Sequence, residues 1–233
     1  MVDLGAKHSS VIPVHEGFVL SKQTMQSSGW GGNALDALFL DLLKRKHGAA
    51  LKKWTIEGSE SYQLKKRYQV MQQMKESICR VNDVAFTMED NLAIPTVSYD
   101  LPDGQKLQIG PERFEVPEIL FRDEDSHPSI QKMVLNATNQ CEIDMRRDFF
   151  HNMVLTGGTS CFENTPQRLE RELSTMVPAM FKVKVVASHP TERKNSAWLG
   201  GSILGSLSTL ENMIIWKKEY EEYGTSILQR KCI

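Results

Sequence analysis

The stretch from Asn152 to Ala187 constrains the fold more than any other part of the chain. Met153-Val154-Leu155-Thr156 is a short apolar run of strand type that stops on Gly157-Gly158-Thr159-Ser160, where adjacent glycines let the backbone turn sharply and present its N–H groups. Thr165-Pro166 then reads as an N-cap followed by proline at the first helical position, and Leu169, Leu173 and Met176 keep one apolar face. Phe181 to Ala187 alternates as a second strand. Strand, glycine loop, helix, strand is a βαβ crossover, whose ligand sits at the carboxyl end of the first strand. Binding is therefore expected at Gly157 to Phe162, although a plain tight turn explains a bare Gly-Gly pair equally well.

Composition excludes several classes. The 233 residues suffice for one large domain or two small ones. With 28 basic and 29 acidic residues, no global field draws the chain to nucleic acid or an anionic membrane, so neither a membrane partner nor direct sequence-specific nucleic-acid binding is expected. Cys79, Cys141, Cys161 and Cys232 are scattered without metal-ligand spacing, which predicts reduced thiols and no zinc site. The amino terminus has no secretion signal pattern, and no apolar run approaches the roughly 18 residues of a membrane span. Met1 to Gly5 reads as the end of a strand with no residues left to form it, so a truncated chain or a misassigned start is expected.

Further motifs precede the crossover. Asp3 to Leu20 reads as a pair of hairpins whose first turn, Asp3 to Lys7, sets a carboxylate beside backbone amides; Asp3 there can hold magnesium through water, and Gly5 can approach phosphate. A turn-forming Asp-x-Gly is the plainer explanation. Gly29 to Asn33 is a glycine-rich turn leading into a helix from about Ala34 to Lys46. The basic clusters at Lys44 to Lys46, Lys52-Lys53 and Lys65 to Arg67 read as solvated helix faces, since no aromatic residues interleave for stacking on bases. Val70, Met74, Ile78 and Val81 make Lys65 to Val81 an amphipathic helix that also carries Lys75-Glu76, a pair that by itself reads as a surface ion pair. Ile94 to Ile109 is two strands around a Pro-Asp-Gly turn, Arg122 to Pro128 a charged loop, and Ile130 to Asn139 a helix. Trp198 to Trp216 forms helices in which Ile203, Leu207, Leu210, Met213 and Ile214 line either a groove or ordinary core.

Taken together, these motifs resemble the actin and actin-related protein family. The shared patterns are the Gly-Gly-Thr loop, Glu192-Arg193-Lys194 followed by Ser196, Trp198 and Gly200-Gly201-Ser202-Ile203-Leu204, the Leu101-Pro102-Asp103-Gly104 hairpin with Gly110 to Phe121 after it, Cys141 to Arg147, and the ending Arg230-Lys231-Cys232-Ile233. The resemblance covers essentially all 233 residues but only the later part of the family pattern. It implies an α/β, actin-like ATPase (ribonuclease-H-like) fold, incomplete, with a mixed sheet, flanking helices and a smaller inserted subdomain. Residues 1–30 and 119–195 would form the large subdomain, 31–118 the insertion, and 196–233 helices packing on the amino-terminal half that is missing here.

The resemblance also implies site roles. Asp3 would lie near magnesium and Gly5 near phosphate; Gly32, Lys75 and Glu76 would meet the nucleoside; Gly157, Gly158 and Phe162 would form the adenosine loop, with Lys194 flanking the base. The cofactor would be ATP or ADP with Mg2+, held weakly or not at all without the first phosphate loop. Two departures bear on chemistry: Ala6 and Ser10 stand where the family carries a magnesium-shell aspartate and a histidine associated with the attacking water, which predicts little hydrolysis and no catalytic residue. Ala6 and Ser10, the length around Trp54, the Ser188 to Thr191 insertion and the run from Val81 through Tyr99 look most like the nuclear actin-related proteins of the fourth class. That implies a nuclear, nucleotide-binding scaffold of chromatin-remodelling or histone acetyltransferase complexes. Its partners would be actin, a long helix of the remodeller motor or acetyltransferase scaffold in the groove at Leu207, Leu210 and Met213, and histones. The rival reading is a divergent cytoskeletal actin that polymerises and hydrolyses ATP in the cytoplasm, favoured by the terminal Arg230 to Ile233; a sugar kinase lacks a recognisable sugar-binding carboxylate.

Overall fold

The computed structural model describes residues 1–29, 31–53, 56–87, 94–123 and 127–231; Trp30, Trp54, Cys232 and Ile233 lie outside them. In chain order the strands are β1 (Val2–Leu4), β2 (Ser9–Val11), β3 (Val14–His15), β4 (Phe18–Val19), β5 (Met25–Ser27), β6 (Val97–Asp100), β7 (Lys106–Ile109), β8 (Met153–Thr156) and β9 (Val185–Val186). The helices are α1 (Gly32–Lys53), α2 (Glu60–Ile78), α3 (Glu112–Glu118), α4 (Ile130–Asn139), α5 (Ile143–His151), α6 (Thr165–Met176), α7 (Pro190–Lys194), α8 (Ser196–Ser206), α9 (Leu210–Met213), α10 (Lys217–Tyr223) and α11 (Ser226–Lys231).

One mixed sheet of order β5-β2-β1-β8-β9 organises these elements, and β3-β4 and β6-β7 form separate hairpins. The three residues of β1 do form a strand, contrary to the expectation from sequence, because both neighbours hold it. Antiparallel β2 pairs Val2 with Val11 and Leu4 with Ser9, parallel β8 pairs Val2 with Leu155 and Asp3 with Thr156, and the Met1 ammonium donates to Ile12 O at 2.8 Å. Val2 and Leu4 face the core with Met153 and Leu155, where α4 supplies Ile130, Met133, Val134 and Ala137 and α6 supplies Leu169 and Leu173. Each such side chain contributes about 1.5–3 kcal/mol by leaving water. Side chains alternate across a strand, and Val154 and Val186 on the other face are 48% and 44% exposed.

The crossover β8-α6-β9 is present, with β9 parallel to β8. Two details differ from the sequence reading. Only Val185 and Val186 of the alternating run pair as a strand; Lys184 bonds ahead of it to Phe150 O and Met153 N. The residue before α6 is Asn164, in the left-handed region at φ 67°, while Thr165 is the first helical residue and its hydroxyl donates to Phe162 O at 2.7 Å. α1 starts at Gly32 and runs on to Lys53 across a kink at His47, past the expected end. α2 begins five residues early and stops at Ile78, leaving Val81 buried but outside the helix.

Arg168 binds the crossover to the rest. Its guanidinium is 2% exposed and donates to both carboxylate oxygens of Glu118 on α3 (2.8 and 2.9 Å), to Glu172 on its own helix (2.6 Å), and to the carbonyls of Asn82 (3.0 Å) and Val84 (2.8 Å), with the Phe121 ring 4.8 Å away. Burial alone would lower its proton affinity, but the bonds to Glu118 and Glu172 more than offset this and hold the charge. Glu118→Ala, which removes the buried counter-ion and leaves Arg168 only the more exposed carboxylate of Glu172, is expected to cost about 3 kcal/mol in chemical denaturation; a loss under about 1 kcal/mol would show that the pair does not hold α3 to α6.

Candidate functional site

A cavity of about 550 Å³ opens where the turn after β1, the start of α1, α2, the loop after β8 and α7 converge. Backbone bonds build its floor. Gly5 O accepts from Gly32 N (3.0 Å) and from the Thr159 hydroxyl (2.8 Å), Ala6 O accepts from Asn33 N (2.8 Å), and Gly157 N donates to Arg193 O (3.2 Å). Such close approach explains the glycines. A Cβ on Gly157, at φ +91°, would lie 2.3 Å from Leu4 O and 2.6 Å from Asp3 Oδ1, and a Cβ on Gly32 would lie 2.9 Å from Thr159 Oγ1.

Of the residues named from sequence, Gly32, Lys75, Glu76, Gly158, Phe162 and Lys194 all line this one cavity although they come from four separate segments. Asp3 and Gly157 sit at adjoining strand ends beneath it, where Asp3 Oδ1 accepts from the Thr156 hydroxyl at 3.2 Å. Gly5 joins them, but its N–H is already engaged by His8 O at 3.0 Å, so its visible role is to anchor Gly32 and Thr159 through its carbonyl. Ala6 lines the wall, and Ser10 is buried on β2 opposite Asp3. Phe162 is 7% exposed and offers the cavity an edge of the core.

Lys75 is not part of a surface ion pair. It is 5% exposed, with Nζ 2.9 Å from Gly32 O and 2.7 Å from Asp36 Oδ1, because it faces α1 rather than solvent. Burial raises the Asp36 carboxyl above its ordinary value, and Lys75 pulls it back only in part. Glu76 is the outward member of the pair. It meets Lys194 at 3.6 Å across the cavity mouth and accepts from Gln72 at 2.9 Å. Thr159 and Cys161, inside the expected Gly157 to Phe162 stretch, line the cavity too, as do Asp36, Gln72 and Asn195, which were not singled out in sequence. Asp36 left one signal: a carboxylate one helical turn after Gly32, on the face otherwise occupied by Leu35, Phe39 and Leu43.

Among the described residues no group of three His, Cys, Asp or Glu side chains could hold a metal ion. The carboxylates of the lining are Asp36 and Glu76, with Asp3 at the adjoining strand end, so a magnesium here would have to be carried mainly by a ligand's phosphates and water rather than caged by protein. Away from the cavity, Leu207 and Met213 are 47% and 54% exposed, Leu210 is half-buried, and neither α8 nor α9 has a buried residue. Ordinary core packing, the plainer reading of these leucines, does not occur among the described residues.

The fold and this convergence of turns have a family. The chain belongs to the actin family: the family model described as Actin matches residues 1–233. Among curated relatives it is 36% identical to actin-related protein 4 of Arabidopsis thaliana, in an alignment that takes in 100% of this chain and 60% of that protein. It is 34% identical to actin-related protein 4 of Oryza sativa, in both subspecies indica and japonica, with the same coverage. The chain thus spans about 60% of the length of these relatives.

Two substitutions check the geometry. Gly157→Ala meets both a disfavoured backbone angle and the Leu4 carbonyl, and should destabilise by at least about 2 kcal/mol in urea denaturation. Lys75→Met leaves Asp36 without its counter-charge and should cost about 3 kcal/mol at neutral pH. The Asp36 pKa is raised on folding, so its contribution is present at pH below the unfolded carboxyl value and is lost as pH rises through the folded one. The Lys75→Met penalty should therefore shrink as the pH falls toward 4; a pH-independent penalty would contradict the pairing.

Proposed function

We propose that this chain is the nucleotide-binding part of a nuclear actin-related protein, one that holds ATP or ADP with magnesium in the cavity and serves as a scaffold subunit of a chromatin-remodelling or histone acetyltransferase complex with little or no hydrolysis. The observation that carries the non-hydrolytic reading is the pair Ala6 and Ser10. A methyl group stands on the cavity wall, and a buried hydroxyl lies across the strand from Asp3, where a catalytic member of the family would need a carboxylate and a histidine to order magnesium and water. When bound, magnesium would offset the charge of the phosphates. Asp3 would orient its water shell, Glu76 at the mouth would accept from the ribose hydroxyls, Lys194 would flank the base, and Phe162 would give it an apolar face. Likeness to actin-related protein 4 supports the choice of class.

The exposed face of α8 and α9, with Leu207, Leu210 and Met213, suits a long amphipathic helix of a motor or acetyltransferase subunit, with actin and histones as the further partners of such a complex. Endogenous tagging followed by purification from nuclear and cytosolic extracts tests this assignment. Recovery with a remodelling motor or acetyltransferase scaffold together with actin is the expected result, and recovery in cytosolic filaments would overturn it in favour of a divergent cytoskeletal actin.

Phosphate release by the full-length protein with Mg·ATP is expected to stay near the uncatalysed background, and the affinity of the 233-residue chain alone for ATP to be weaker than micromolar. Turnover comparable to filamentous actin would refute the non-hydrolytic reading.

A further inference from the structure

The side chains that line the cavity divide by hydrogen-bonding role, and most of those that can donate are turned toward the protein itself. Lys75 Nζ spends its charge on Asp36 Oδ1 at 2.7 Å and on Gly32 O at 2.9 Å. Gln72 Nε2 donates to Glu76 at 2.9 Å, Asn195 Nδ2 to Thr191 O at 2.9 Å, and the Thr159 hydroxyl to Gly5 O at 2.8 Å. The Cys161 thiol faces Pro190 O at 3.4 Å. The amide oxygens of Gln72 and Asn195 are thereby left as acceptors. Lys194 at the mouth is matched by Glu76, and Asn33 and Thr191 are exposed at the rim.

Asp36 is the buried acceptor among them. It is 8% exposed, and among the described residues no donor but Lys75 reaches its carboxylate. One helical turn after Gly32 and bonded to Lys75, it belongs to the wall where Gly32, Lys75 and Glu76 would meet a nucleoside, not to the Asp3 and Gly5 side. A carboxylate has about four acceptor positions, and one ammonium leaves most of them open. A ligand that displaces water from the cavity must satisfy them or leave them unpaired at a cost. An anionic group is repelled there, whereas an uncharged O–H or N–H gains a charge-assisted bond.

From this we infer that Asp36 is a specificity-determining residue of the cavity: its carboxylate accepts a hydrogen bond from a hydroxyl or amino group of the nucleoside, in addition to the bond that Glu76 accepts at the mouth. This rests on the nucleotide reading above and adds that this wall selects by the ligand's uncharged donors. An adenine nucleotide offers three such groups: the two ribose hydroxyls and the amino group of the base.

Calorimetric titration of the full-length protein, freed of nucleotide, tests this with the magnesium complexes of ATP, 2′-deoxy-ATP, 3′-deoxy-ATP and purine riboside triphosphate. The last three each lack one donor and keep the phosphates. In the wild type at least one of them is expected to bind about tenfold more weakly than ATP, or worse. Asp36→Leu combined with Lys75→Gln removes both charges together, so no buried ion is stranded, and the glutamine amide still donates to Gly32 O. This variant should bind that analogue and ATP within about twofold of each other, while Glu76→Gln keeps the discrimination. Asp36→Glu, which keeps a charge for Lys75 but moves the oxygens, should lose the discrimination too, and it decides the matter if thermal melts show the double variant unfolded. Wild-type ratios for all three analogues in the folded Asp36 variant overturn the inference, as does a wild type that binds all four ligands equally. If the wild type binds none of them, the nucleotide reading itself fails, and this inference with it.

Discussion

The ion pair between Arg168 and Glu118 is the constraint on which the rest of the structure depends. A guanidinium and a carboxylate each 2% exposed are tolerable only as a bidentate pair with the remaining donors satisfied, and the carbonyls of Asn82 and Val84 and the carboxylate of Glu172 satisfy them. The pair therefore ties three parts of the chain far apart in sequence: the crossover helix α6, the short helix α3 and the segment that follows α2. α2 carries Lys75 and Glu76, and α6 follows the loop that begins at Gly157, so the pair also fixes the distance between two walls of the cavity.

Within that frame the cavity is built by backbone meeting backbone. The turn after β1, the first residue of α1 and the loop after β8 exchange hydrogen bonds through Gly5, Ala6, Gly32 and Thr159, and a side chain at Gly157 would collide with Leu4 and Asp3. Glycine is required there by space as well as by angle. Charge is then placed in pairs across the walls: a buried one, Lys75 with Asp36, which sets the packing of α1 on α2, and an exposed one, Glu76 with Lys194, which spans the mouth. The exposed pair is worth little as a bond, so its members remain available to a ligand.

Much of this was legible in the sequence. The glycine loop, the crossover and the helix at Ile130 to Asn139 follow from periodicity and turn chemistry, which act over a few residues, and the motif resemblance placed Gly32, Glu76, Gly158, Phe162 and Lys194 around one cavity. What failed to show were partners distant in the chain. Lys75 looked like a surface cation because its counter-ion is 39 positions away on α1, and nothing marked Arg168, whose partner Glu118 is 50 positions off. β1 looked too short to exist because its stability comes from β2 and β8 rather than from its own length.

By itself, the sequence determined the order of the elements, the glycine turns and the family, since each is written in residue spacing. It also determined the substitutions Ala6 and Ser10, on which the proposal of a non-hydrolytic site rests. Only the tertiary structure decided which charges are buried and with what partner: Lys75 with Asp36, Arg168 with Glu118, and Arg193 with no carboxylate among the described residues. It alone showed that no described residue of this chain buries Leu207 or Met213. The physical reason is that local spacing sets backbone conformation, whereas the cost of a charge or the value of an apolar face depends on what the fold brings against it.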